Sequence, residues 1–432
     1  MARRIQGMRR RQGFTIPELL VSMALILFIM VILSQTFVTG ADMFRKLKAM
    51  GDMQERLRSV STRLRAELDT DHFEDTLLLG GGKSKSRSRL SDVDLRVEPP
   101  PLAGFFRIWQ VSTATEGTDL YGVPSYQGSN HFLHFTVRLK GNRPESYASA
   151  TLYGASPLTS PSQPLFTAYP ADYYQPNNTY KNQWYEVVYF LQPTGQSANG
   201  TPLFALYRRQ LVAVTGQATS MMNTPPGQQP NTNPPSPYYN DTPPPAYAEV
   251  SCKPDYSTGY STLYFNSQAD LTVPQRRFGT DPDPASAGRL AVINGMYTYP
   301  RLLDQPGTAS FQWADDLLLS DVVSFDIKTL YDTPAGIGTD FVDLPLTTDP
   351  VAGGNNTVFG PLGIGVFDSW SQAQLPPPGS SGNPYDYFNN WYNPGNDKSL
   401  PLKIHVRALQ ITIRMWDVKT EQTAQLTIVQ EM

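Results

Sequence analysis

The run Met8-Arg-Arg-Arg-Gln-Gly13-Phe14-Thr-Ile-Pro-Glu18-Leu-Leu-Val-Ser-Met-Ala-Leu-Ile-Leu-Phe-Ile-Met-Val-Ile-Leu33 decides how the rest of this chain is read. From Leu19 to Ala41 no residue is charged, a stretch of 23 positions. At 1.5 Å per residue, a helix of that length crosses a bilayer core of about 30 Å with some tilt. Arg3, Arg4, Arg9, Arg10 and Arg11 lie on its N-terminal side and should keep that end in the cytoplasm. Pro17 does not interrupt the pattern, because a first helical turn leaves its N–H groups unpaired in any case.

Two simpler readings compete. A secretory signal is cut after its apolar region at small residues, which Val38-Thr39-Gly40 matches loosely. A plain signal anchor is not cut at all. Neither accounts for a glycine, a phenylalanine and a lone glutamate just after the basic stretch.

Those residues, Gly13-Phe14-Thr15-Ile16-Pro17-Glu18-Leu19-Leu20, resemble the processing site of type IV prepilins and type II secretion pseudopilins. The resemblance implies cleavage between Gly13 and Phe14 by a membrane aspartyl prepilin peptidase, which also N-methylates Phe14. It implies that Glu18 attracts the free amine of a neighbouring subunit during filament entry. An ionised carboxylate inside a bilayer costs on the order of 3 kcal/mol, so Glu18 needs such a partner or a place at the headgroup boundary. Low dielectric would strengthen the pair.

Beyond the span the helical period continues through Met43, Leu47, Met50, Leu57, Val60, Leu64 and Leu68. Lys46, Lys48, Glu55, Arg56, Arg58, Arg63, Arg65 and Glu67 fall mostly between them. Phe14 to Leu68 reads as one helix of roughly 80 Å, with Gly51 in its middle as a point where it can bend. Gly80-Gly-Gly-Lys-Ser-Lys-Ser-Arg-Ser-Arg89 reads as a flexible, solvated basic connection.

After it the apolar pattern becomes short and alternating. Phe105 to Val111, Phe132 to Leu139, Trp184 to Leu191, Leu203 to Leu211, Leu317 to Tyr331, Lys403 to Trp416 and Thr423 to Val429 read as strands. Val188 to Leu191 and Leu206 to Leu211 form a hairpin in this reading. In the Lys403 strand, Ile404, Val406 and Ala408 share one face and Leu409, Ile411, Ile413 and Met415 the other, which a bulge near Ala408 reconciles. Residues 219–247 are proline-rich and read as an extended loop inserted in the head. The 32 glycines and 38 prolines agree with strands and long loops rather than a helical bundle.

The expected fold is therefore α+β, a long N-terminal helix packed on an antiparallel, pilin-like β-rich head. The segments are a leader at 1–13, a transmembrane half-helix at 14–40, an amphipathic half and exit at 41–79, and the head at 80–432. Leu317 to Tyr331, Phe367-Asp-Ser-Trp370, Leu400-Pro401 and Gln410 to Arg414 resemble, more narrowly, minor pseudopilin J and minor pilin W. That implies a structural subunit at or near the tip of a type II secretion pseudopilus or type IV pilus. The implied partners are other pilins or pseudopilins, prepilin peptidase, the inner-membrane assembly platform and the lipid bilayer. The implied location is the bacterial inner membrane, single-pass, with the head in the periplasm or on an extracellular filament. The alternative is a tip-displayed adhesin or substrate-binding pilin whose aromatic and proline-rich loops contact a surface or substrate.

Chemistry is sparsely supplied. The formal charge of −3 becomes −8 without the five leader arginines, so nucleic acid is not an expected partner. Cys252 is the single cysteine, which excludes an intramolecular disulfide. His131 and His134, three apart in a strand, point to opposite faces and do not chelate one ion readily. Asp281-Pro-Asp-Pro284 and Asp315-Asp316 offer oxygens for calcium, which some pseudopilins bind, but without EF-hand spacing. No nucleophile elbow, P-loop, zinc-protease helix or dinucleotide fingerprint occurs, so no enzyme, cofactor or metal site is expected.

Overall fold

The computed structural model describes residues 15–79, 83–111, 115–118, 124–126, 131–152, 178–198, 201–214, 221–223, 249–254, 262–279, 292–293, 296–297, 316–344, 346–347, 364–369 and 404–432. One helix, α1 (Ile16–Leu68), runs 53 residues without interruption through Gly51, about 80 Å at 1.5 Å per residue. Its burial divides it. Every described side chain from Thr15 to Gly40 is exposed, and Met43, Phe44, Leu47 and Met50 are exposed as well. Burial begins at Met53 and continues through Leu57, Val60, Leu64, Glu67 and Leu68. The packed stripe is thus shorter than the apolar period of the sequence. It starts where the head begins to cover the helix.

The head is built on β3 (Phe106–Val111), β4 (Phe132–Arg138), β5 (Trp184–Ala198), β6 (Thr201–Val212), β7 (Asp316–Asp332), β8 (Leu346–Thr347), β9 (Ile364–Asp368), β10 (His405–Asp417) and β11 (Gln422–Glu431). They form one nine-stranded sheet in the order β8-β9-β3-β4-β5-β6-β7-β10-β11, antiparallel throughout. All seven expected strands are present, and β5 and β6 form the expected hairpin, with Tyr189 opposite Arg208. The bulge near Ala408 is also present: Leu330 pairs with Ala408 and Tyr331 with Val406, so Arg407 is the extra residue. A second irregularity lies where β6 meets β7, where Asp321 takes a left-handed conformation (φ 58°) that a short polar side chain tolerates.

The sheet separates two layers. Tyr185 and Tyr189 reach Glu67 of α1, so by the two-residue period Val187 and its neighbours Phe135, Phe106, Ile108 and Leu133 also face the helix. Phe106 and Phe135 stack there with centroids 5.0 Å apart. The C-terminal half of α1 packs over β11, β10 and β7 on this side. The other face carries Glu186, Val188, His134, Arg107 and Arg209. Residues 249–254 and 262–279, to which the sequence reading assigns no element, cover it, tied to β6 by Val212 N–H to Glu249 O (2.8 Å) and Ser251 N–H to Val212 O (2.9 Å).

One expectation fails. Part of the basic connection is ordered: β2 (Lys83–Arg87) pairs with β1 (Asp75–Leu79). Arg87 is buried, ion-paired to Asp75 and 3.6 Å from Glu98. The carboxylates lie outside the basic run, so composition within the run hides them. Gly80 to Gly82 and most of 219–247 lie outside the described residues.

Candidate functional site

The N-terminus of α1 is organised around Glu18. Thr15 precedes the helix, and both its N–H and its hydroxyl donate to Glu18 Oε2 at 2.9 Å. Glu18 in the first turn also complements the positive end of the helix dipole. Its carboxylate therefore turns back toward the chain entering the helix. Gly13 and Phe14 lie outside the described residues, so the structure does not place the bond between them. The helix that follows is the one described helix long and apolar enough to cross a membrane, and among the described residues its large apolar side chains from Ile16 to Met50 are exposed.

At its other end α1 is held by a buried charge cluster. Glu67 is 4% exposed and accepts from Arg208 Nε (3.1 Å), Arg63 Nε (3.3 Å) and Tyr185 Oη (3.3 Å), as well as from Tyr189 Oη and Arg208 Nη2. Arg208 also donates to Asp316 (2.9 Å) and Gln210 (2.7 Å). Burial, then the Glu67 charge, pushes both tyrosine hydroxyls up, so they remain protonated donors. The sequence places Glu67 among the charged residues that fall mostly between the apolar positions, whereas the structure buries it with them. The signal was available: Val60, Leu64, Glu67 and Leu68 share the buried stripe at spacings of three and four.

The far face of the sheet holds a second polar cluster. Glu186 accepts from Ser251 Oγ (2.5 Å), bonds His134 Nε2 (2.9 Å) and lies 3.4 Å from Phe278 N. Arg277 donates to both oxygens of Asp368 (2.9 and 2.7 Å) and lies 3.8 Å from the Phe105 ring centroid. Serine and histidine here are joined through the carboxylate between them, not to each other, and all three are buried. A nucleophile needs its base in direct contact and a path for substrate, so this is a packed polar core.

His131 belongs to a different network, accepting Ile327 N–H at Nδ1 (2.9 Å). The two histidines do not converge. Cys252 is buried and its thiol is pushed up by burial, which makes it a poor nucleophile. Asp316 pairs with Arg208, whereas Asp281, Asp283 and Asp315 lie outside the described residues. Among the described residues no group of three or more His, Cys, Asp or Glu is placed to hold a metal ion.

Comparison with known families matches residues 8–34 to the prokaryotic N-terminal methylation motif. That match covers the basic run, Gly13, Phe14, Glu18 and most of the span, and it supports a type IV pilin-like or pseudopilin-like, membrane-anchored precursor. No curated protein and no solved structure matches the chain.

Proposed function

We propose that this protein is a minor pilin or pseudopilin, a structural subunit cut by prepilin peptidase between Gly13 and Phe14, N-methylated on Phe14, and assembled at or near a filament tip. One observation carries this reading. A single uninterrupted helix presents an apolar half, Ile16 to Met50, that is exposed among the described residues, while its other half is built into the head. Apolar surface of that extent needs a bilayer before assembly and other subunits after it. The methylation motif at the head of the same helix supplies the processing route.

Glu18 takes the assembly role in this scheme. Cleavage after Gly13 would leave the new amine on Phe14, one residue before Thr15, whose N–H already donates to Glu18. The carboxylate is therefore shared between its own helix cap and the amine of an adjacent subunit. The leader (1–13), membrane half-helix (14–40), amphipathic half and exit (41–79) and head (80–432, with the 219–247 insertion) then follow in order. The bulk of the nine-stranded head favours a low-copy subunit of the J or W kind, because so large a head is hard to repeat along a tightly packed filament. Its partners are other pilins, prepilin peptidase, the assembly platform and the inner membrane, with the head in the periplasm or on an extracellular filament. Its role is structural, not enzymatic.

Mass spectrometry of the purified protein's N-terminus tests this directly. A methylated Phe14 terminus is expected, and an intact Met1 leader or a terminus near Gly40 refutes the reading. Glu18→Ala should leave membrane insertion intact and reduce filament entry; unchanged assembly removes the role given to that carboxylate.

A further inference from the structure

An antiparallel sheet has two edges, and an open edge pairs with any strand that reaches it unless charge, proline, a bulge or a covering element intervenes. This chain closes one of its own. β8 has two residues, and the segment leading to it returns to β7, where Thr329 and Val342 exchange N–H···O bonds of 2.9 and 3.0 Å. The Gln110 side chain straps the same region, donating to Ile327 O (2.6 Å) and accepting from Leu344 N–H (2.7 Å).

β11 is the other edge, and among the described residues it is not guarded in these ways. Its ten pairs with β10, from Ala408–Glu431 to Asp417–Gln422, run without a register shift. Gln422-Thr-Ala-Gln-Leu-Thr-Ile-Val-Gln-Glu431 contains no proline, lysine or arginine, and its one carboxylate is at the end. Two bonds fix which backbone groups look outward. Met432 N–H donates to Arg407 O (3.0 Å), so even-numbered residues bond toward β10, and Arg65 Nη1 reaches Val429 O (3.1 Å) from outside the strand. By alternation the N–H and C=O of Thr423, Gln425 and Thr427 point off the sheet. Among the described residues, the side-chain hydrogen bonds to the backbone of this edge are those of Arg65 to Val429 O and Gln430 to Glu431 O, both beyond Thr427, while the Gln425 side chain accepts from Arg414 of β10 (3.2 and 3.0 Å) and the Thr427 hydroxyl lies 3.3 Å from that of Thr412.

α1 lies against this same strand. The exposed half of the helix continues directly from the stretch packed on this strand, so neighbours that cover it reach the head at the side where β11 lies. We propose that β11 receives a tenth strand, an extended segment of another subunit of the same filament, paired through the backbone groups of Thr423, Gln425 and Thr427. This rests on the reading of the chain as a filament subunit. The donated strand would supply main-chain pairing for affinity, with the exposed Thr423, Gln425 and Thr427 side chains giving specificity.

The test uses the full-length protein in cells that assemble the filament, with a benzophenone side chain in place of Thr427 or, in parallel, of Leu47 on the exposed helix. Irradiation should join position 427 to a peptide, mapped by mass spectrometry, within another subunit carrying an N-terminal methylation motif. Thr423→Pro removes an outward N–H without touching the β10 ladder and should lower that adduct about tenfold, the equivalent of about 1.4 kcal/mol. N-terminal processing and the Leu47 adducts should be unchanged. Should the proline variant fail to accumulate, Thr423→Lys places a charge on the edge with the backbone intact and should have the same effect. Adducts at Leu47 without an inter-subunit adduct at 427, or an adduct at 427 indifferent to both substitutions, overturns the added strand and leaves the filament reading standing. Loss of both adducts together with an unprocessed N-terminus overturns the filament reading, and the added strand with it.

Discussion

Replacing Glu67 by alanine should loosen the helix from the head, and the size of the effect follows from what the substitution leaves behind. Arg208, 2% exposed, would keep only Asp316, half-exposed, and Gln210 as side-chain partners. Removing one member of a buried ion pair costs about 3–5 kcal/mol, and Tyr185 and Tyr189 would each lose a buried acceptor worth about 1 kcal/mol. These terms share partners and do not add, so about 4 kcal/mol is the expected total. For a head as large as residues 80–432 each kcal/mol moves the midpoint by about 1–1.5 °C, so thermal unfolding of the detergent-solubilised full-length protein should fall by about 5 °C. Glu67→Leu combined with Arg208→Met should recover much of the loss, since an apolar pair of similar volume strands no charge. A Glu67→Ala shift under about 2 °C, or a double variant as damaged as the sum of the singles, refutes the assignment of Glu67 as the clamp between helix and head.

Acid should destabilise the head, because burial holds His72 down to about 4 and His131 to about 3 and lowers His134 as well. Stability present above the unfolded value of about 6.5 is lost as pH falls toward those folded values, on the order of 3 kcal/mol for His72 alone. Asp326, pushed up to about 6 chiefly by burial, acts oppositely, losing stability as pH rises through that value, but one carboxyl stands against three imidazoles; denaturant midpoints that do not fall between pH 6.5 and 4 contradict this balance. Gly104→Ala should cost about 3 kcal/mol, because φ is +83° and a Cβ would lie 2.1 Å from His72 O, whereas Gly51→Ala, in open space within α1, should stabilise the helix by about 0.5–1 kcal/mol; circular dichroism melts of the two variants check both signs.

The helix and all seven strands were legible because each carries its own period, and burial selects residues by that period. Even the bulge at Arg407 could be read, since the apolar face of β10 switches sides there. What escaped was information carried by pairs distant in sequence. Arg87 looks solvated until Asp75 and Glu98 are seen beside it, and Glu67 until Arg208, 141 positions away, closes over it. The far-face cluster has the same character, with Glu186 meeting Ser251 and His134 across separate elements. The resemblance at Gly13 to Glu18 was local and readable without the head; the open edge of β11 became visible only once the sheet had an order.

The uninterrupted course of α1 from Ile16 to Leu68 also has a mechanical meaning. Any machine that draws this subunit out of a bilayer must pull on the helix, and a continuous helix passes that force undiminished into the head. There the load meets Met53, Leu57, Val60, Leu64 and the Glu67 clamp arrayed along the direction of pull, so they resist in shear and share the tension instead of failing one after another. The anchor can then leave the lipid before the head comes apart.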